Sequence, residues 1–88
     1  MIYQIEFTKG ALKQLKKLPT DIKELIDSKI LELADEPRPS GVKKLQGNDS
    51  LYRIRVNDYR VIYQIQDDVL LVTVVKAGHR KEIYREVK

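Results

Sequence analysis

Apolar and polar residues along this chain change their period several times, and each change marks an element. "IYQIEF" alternates, with Tyr3, Ile5 and Phe7 on one side and Gln4 and Glu6 on the other, which predicts a strand. Thr8 is placed to cap a helix with the stripe Ala11, Leu12, Leu15 and Leu18, leaving Lys13, Lys16 and Lys17 in water. Pro19 interrupts that pattern. Thr20 or Asp21 then caps a second helix, with Asp21 and Glu24 spaced as a capping box. Its stripe is Ile22, Leu25, Ile26, Ile30 and Leu33, and the prolines and glycine of "DEPRPSG" end it.

From Gly41 to Ser50 the residues predict a polar loop containing Lys43 and Lys44. Strands follow near 51–56, 59–66 and 69–77, joined by two-residue turns at Asn57-Asp58 and Asp67-Asp68. The tail "GHRKEIYREVK" predicts a last half-strand and a turn of helix. The order is β-α-α-β-β-β: an α+β fold with a helical hairpin on one face of a small, mainly antiparallel sheet. A chain of 88 residues makes one domain over 1–88.

The segment "LYRIRVNDYRVIYQI" carries the unusual chemistry. A two-residue turn at 57–58 sets Arg55 opposite Arg60, Ile54 opposite Val61, Arg53 opposite Ile62 and Tyr52 opposite Tyr63. Directly paired residues share a face. Tyr52, Ile54, Val56, Tyr59, Val61 and Tyr63 then form the face the helices cover, while Arg53, Arg55 and Arg60 share the other. Like charges directly opposite each other destabilise a sheet, so stability alone would not select this pair. Counting on through the second turn places Thr73, Val75, Ala77 and His79 on the arginine face, with Arg80 and Tyr84 close behind, unless Gly78 bulges the strand. The competing reading is a free sheet face of solvated arginines, paired with acids, beside a structural histidine.

Charge sharpens the choice. Seventeen Lys and Arg against 13 Asp and Glu give +4, which suits an anionic partner, nucleic acid or an acidic protein. The chain has no cysteine, so disulfides and thiolate chemistry are excluded, in keeping with a cytoplasmic location. No apolar run reaches the ~18 residues of a membrane span, and the N-terminal pattern is not that of a signal peptide. No acidic cluster is spaced for magnesium, so no metal or other cofactor is expected. Guanidinium groups grip phosphate bidentately, and an imidazole is the natural acid–base near neutral pH. Such a face points to RNA, whose 2′-hydroxyl is a built-in nucleophile.

The ordered set of an opening strand, "LKKLP", "KLQG", "YRIRVNDYRVIYQI" and "GHRKEIY" resembles RelE-type toxins of the RelE/ParE toxin–antitoxin superfamily over nearly the whole chain. The resemblance implies a ribosome-dependent, metal-independent mRNA endoribonuclease. It would cut in the A site by 2′-hydroxyl attack, leaving a 2′,3′-cyclic phosphate. It also implies a RelB-like antitoxin that wraps the toxin, and repression of the operator DNA by the pair. By position, the basic pair of the hairpin falls on Arg53 and Arg55, where the best-known member carries lysines. The next strand's arginine falls on Arg60, the basic pair after the last strand on His79 and Arg80, and the terminal tyrosine on Tyr84. The resemblance implies proton transfer by His79, charge stabilisation by Arg60 and Arg80, backbone grip by Arg53 and Arg55, and base stacking by Tyr84. Lys43 and Lys44 either steer RNA or are simply solvated. The alternative within the superfamily is a ParE-like inhibitor of DNA gyrase that cleaves nothing.

Overall fold

Thr8 begins the first helix as its position suggests. Its Oγ1 accepts the Ala11 N–H at 3.1 Å and caps α1 (Lys9–Lys16). The second helix starts differently from the expected capping box. The Lys23 N–H already bonds the Pro19 carbonyl at 2.8 Å, so Pro19 is the cap and α2 (Thr20–Glu32) has no side-chain cap bond. Asp21 still lies in the first turn, where a carboxylate complements the helix dipole. Of the expected stripes, Ala11, Leu15, Ile26, Ile30 and Leu33 are buried, whereas Leu12 and Leu25 are about half exposed. These two are rotated off the stripe that meets the sheet.

The computed structural model describes residues 2–45 and 51–86, with side chains as far as Ile83. A five-stranded sheet runs in the order β1-β5-β4-β3-β2. Its strands are β1 (Gln4–Phe7), β2 (Lys43–Lys44), β3 (Leu51–Val56), β4 (Tyr59–Gln66) and β5 (Leu71–His79), and α3 (Arg80–Glu86) closes the described chain. Only β1 and β5 run parallel. The short β2 replaces part of the expected loop, with Lys43 beside Arg53 and Lys44 beside Tyr52. Ile26, Ile30 and Leu33 pack with Tyr52, Ile54, Val56, Val61, Tyr63, Ile65, Val72 and Val74 to form the core between hairpin and sheet. No helix among the described residues is long and apolar enough to cross a membrane.

The β3–β4 hairpin has the expected register, from Val56 beside Tyr59 and Arg55 beside Arg60 back to Tyr52 beside Tyr63. Asn57 supplies the left-handed turn conformation (φ 55°), which asparagine tolerates. The next hairpin departs from the expected two-residue turn. Gln66 pairs with Leu71 across a four-residue turn, Asp67 to Leu70, with Leu70 left-handed at φ 52°. Two-residue hairpin turns favour Asn-Gly or Gly, which Asp67-Asp68 lacks.

A four-residue turn keeps the alternation, so Thr73 does fall beside Gln64, on the arginine side. The alternation then breaks between Ile62 and Tyr63, where Val74 pairs with Tyr63 but Lys76 pairs with Ile62. Val75 is the extra residue of a bulge, and everything after it changes face. Ala77 therefore pairs with Val61 and His79 with Tyr59, on the helix side of the sheet. The edge of β5 beyond β1 is held by the first helix. Thr8 Oγ1 donates to the Val75 carbonyl at 3.1 Å, and the Ala77 N–H donates to Gln14 Oε1 at 2.9 Å.

At the opposite end of the sheet, a polar clamp fixes the segment that follows α2. Arg38 grips Asp67 through both terminal nitrogens, at 3.2 and 2.8 Å, and its Nε donates to the Tyr52 hydroxyl at 3.2 Å. Tyr3 donates its hydroxyl to Asp67 Oδ1 at 2.6 Å. The Arg38 and Tyr3 hydrogen bonds hold the Asp67 carboxyl down at about 2, from an ordinary 3.8. A group whose folded value is depressed stabilises the fold above its unfolded value and loses that contribution as pH falls through the folded value. Wild type is therefore expected to exceed Asp67→Asn in denaturant midpoint at pH 6, with the gap closing between about pH 4 and pH 2. A gap that stays constant across that range would show that the clamp does not depend on the carboxylate.

Candidate functional site

Where β3 runs beyond its short partner β2, the sheet leaves a cavity of about 420 Å³. Its walls include Pro39, Ser40 and Gly41 from the segment positioned by the clamp, Arg53, Arg55 and Arg60 from the hairpin, and Lys29 and Glu32 from the end of α2. Lys43 lines it as well, while Lys44 does not, because their neighbouring positions on β2 point to opposite faces. Five cationic side chains thus meet one carboxylate, a surplus suited to a polyanion.

Arg60 is the most unusual of these groups. It is only 7% exposed, and its Nη1 donates to the carbonyls of Asn57 and Tyr59, both at 3.1 Å. Arg55, exposed, reaches the same Asn57 carbonyl through Nε at 3.3 Å. The hairpin turn thus braces both guanidinium groups through neutral oxygens. Among the described residues neither makes an ion pair with a carboxylate, so their charge stays available to an anionic ligand.

The arginine face is not the open surface expected from alternation. α3 packs across β5 and β4. A Cβ on Gly78, which pairs with Arg60, would lie 3.7 Å from both Glu82 and Ile83. Ile83 and Ile62 are buried there, apart from the main core. Arg80 begins this helix, exposed, with its N–H bonded to the Asp58 carbonyl at 2.8 Å. Tyr84 belongs to the same helix, but its side chain lies outside the described residues.

His79 does not join the arginines, contrary to the shared face expected for it. The bulge turns it to the other side, edge-on to the Tyr59 ring with centroids 5.5 Å apart. There it lines a separate groove of about 480 Å³ with Gln14, Lys17, Leu18, Pro19, Tyr59 and Glu82. Sequence reasoning also missed Lys29, which sits in a helix one turn before its end and has no local signal for a ligand. Its i,i+3 approach to Glu32, 4.0 Å, is what the sequence spacing alone would suggest. Among the described residues, no three His, Cys, Asp or Glu side chains gather into a group that could hold a metal ion.

The fold, a helical hairpin on a five-stranded mixed sheet, matches that of solved RelE toxins. The family model described as the ParE toxin of type II toxin–antitoxin systems matches residues 5–84, and the chain belongs to this family. Its resemblance is to the RelE-type branch. It is 33% identical over 90 residues to the mRNA interferase toxin RelE of Escherichia coli K12, covering 98% of this chain and 94% of that protein. The solved structure of a mutant E. coli RelE toxin in the free state superposes with a TM-score of 0.81 at 32% identity, covering 98% of this chain and 94% of that one. The toxin of the archaeal RelE–RelB complex from Pyrococcus horikoshii OT3 superposes with a TM-score of 0.80 at 32% identity, covering 91% and 97%.

Proposed function

We propose that this protein is the toxin of a type II toxin–antitoxin system and an mRNA endoribonuclease that cuts codons in the ribosomal A site. The observation that carries the reading is Arg60, a nearly buried cation held by two carbonyls at the edge of a cationic cavity. Burying a charge without an acidic partner costs stability, which is understandable where the charge serves an anionic substrate. Names of its relatives, mRNA interferase toxin RelE among them, support the same reading.

In this reading Arg53, Arg55 and Lys43 grip the RNA backbone, and Lys44 attracts nucleic acid from outside the cavity. Arg60 and Arg80 face the charge that develops on the phosphorane. Tyr84 stacks on a base. The 2′-hydroxyl gives up its proton to solvent and attacks the adjacent phosphorus, the bond to the 5′-oxygen of the next nucleotide breaks, that oxygen takes up a proton from solvent, and a 2′,3′-cyclic phosphate and a 5′-hydroxyl result. Binding on the ribosome aligns the attacking and leaving oxygens, which contributes to rate without a further side chain. A RelB-like antitoxin neutralises the toxin, in keeping with the RelE–RelB complexes among its structural neighbours, and the pair binds operator DNA.

Purified ribosomes programmed with a defined mRNA are expected to yield new 3′ ends at A-site codons when the protein is added, mapped by primer extension. Intact mRNA together with loss of gyrase supercoiling would instead establish the ParE-like activity.

A further inference from the structure

We infer that His79 serves this reaction as a positioning residue that caps α3, and does not carry the proton at the scissile phosphate; the inference rests on the ribonuclease reading above. Two independent features support it. The first is the bulge at Val75, which puts His79 on the face opposite Arg60 although both lie at the same end of the sheet. The second is the bond His79 makes. Its Nδ1 accepts the Lys81 N–H at 3.3 Å, the contact an N-cap side chain makes with the second residue of a helix.

The first residues of a helix have N–H groups with no partner inside it. In α3 the Arg80 N–H goes to the Asp58 carbonyl, and the Lys81 N–H goes to His79. Both ties anchor the helix to the β3–β4 turn and the end of β5. A helix of seven residues has little stability of its own, so such ties and the burial of Ile83 decide whether it forms. Its start is also electrostatically poor, with Arg80 and Lys81 at the positive end of the dipole and only Glu82 to offset them.

An Nδ1 that accepts an N–H uses its lone pair for that bond, which leaves Nε2 as the ring's donor. The edge contact with Tyr59 holds the ring in that orientation. His79 thereby sets the direction in which α3 leaves the sheet, and with it the placement of Arg80 at the start of that helix.

Asparagine separates capping from proton transfer, because its side-chain oxygen caps a helix well but carries no proton near neutral pH. His79→Ala is expected to lower mRNA cleavage about fivefold, the worth of one N-cap. His79→Asn should return to within about twofold of wild type with an unchanged pH–rate profile. Amide exchange of α3 should accelerate in His79→Ala and not in His79→Asn. Proton transfer by His79 would instead make asparagine no better than alanine, with both roughly 10²–10⁴ below wild type; that result overturns the inference. Equal α3 exchange in all three proteins would also overturn it, without any RNA assay. If wild type cleaves no mRNA, the ribonuclease reading fails, while the exchange comparison still decides whether His79 caps the helix.

Discussion

Arg60→Met is expected to lose mRNA cleavage by about 10²–10³ while the protein stays folded, with an unchanged or higher melting temperature. The two halves of that expectation have one cause. Arg60 is almost fully desolvated, and among the described residues its side chain bonds the carbonyls of Asn57 and Tyr59. Methionine fills similar space without a charge to desolvate, and such replacements of buried ions are often neutral or stabilising. It also relieves the repulsion between Arg60 and its cross-strand neighbour Arg55. On the proposed ribonuclease reading, what it removes is a fixed positive group that meets charge developing in the transition state, and one such donor is worth roughly 10²–10³ in rate. Lysine at the same position should recover only part of the activity, because an ammonium cannot bridge two phosphate oxygens as a guanidinium does. Thermal melts and single-turnover cleavage on programmed ribosomes measure the two halves separately. Retained activity in Arg60→Met would remove this residue from the site, and a large fall in melting temperature would show that it is there for the fold.

The largest effect on stability is expected at Tyr63. Its ring is fully buried among the core strands, stacked 6.1 Å from Tyr52, and its hydroxyl donates to the Pro37 carbonyl at 2.7 Å. Burial holds the phenol well above its ordinary titration range, so it remains a donor at any working pH. Tyr63→Ala is expected to cost about 3–5 kcal/mol by analogy with other aromatic truncations. A domain with 5–15 kcal/mol in total would be left marginal or unfolded by this. Tyr63→Phe keeps the ring and orphans the Pro37 carbonyl, for about 1–3 kcal/mol. Urea denaturation distinguishes them, and a phenylalanine variant as unstable as the alanine one would locate the energy in the hydroxyl rather than the packing. Because Pro37 precedes the segment that lines the cationic cavity, the phenylalanine variant should also weaken RNA binding more than its stability loss alone explains.

Residues near one another in sequence were legible, and those brought together by the fold were not. The pairing of Arg55 with Arg60 follows from a two-residue turn and strict alternation, both local to 51–65, and the structure has that register. Alternation also places Lys43 correctly once its strand is recognised, but a strand of two residues leaves almost no periodic signal. The face of His79 could not be counted from the turn. The extra residue at Val75 lies where Thr8 and Gln14, more than 60 positions earlier, bond the backbone of β5. Gly78, the position suspected of a bulge, keeps its place beside Arg60. Asp67 looked like half of a turn and is instead the centre of a clamp with Arg38 and Tyr3, 29 and 64 residues away.

Sequence by itself determined the helical hairpin, the three long strands and the meeting of three arginines on one face, because each depends on spacing within a dozen or so residues. Tertiary structure alone decided that β5 changes face midway, that α3 lies across the arginine surface, and that Lys29 joins the cations. The physical reason is that a bulge or a docked helix is selected by hydrogen bonds and buried area contributed from distant segments, and neither leaves a periodic trace in the strand it alters.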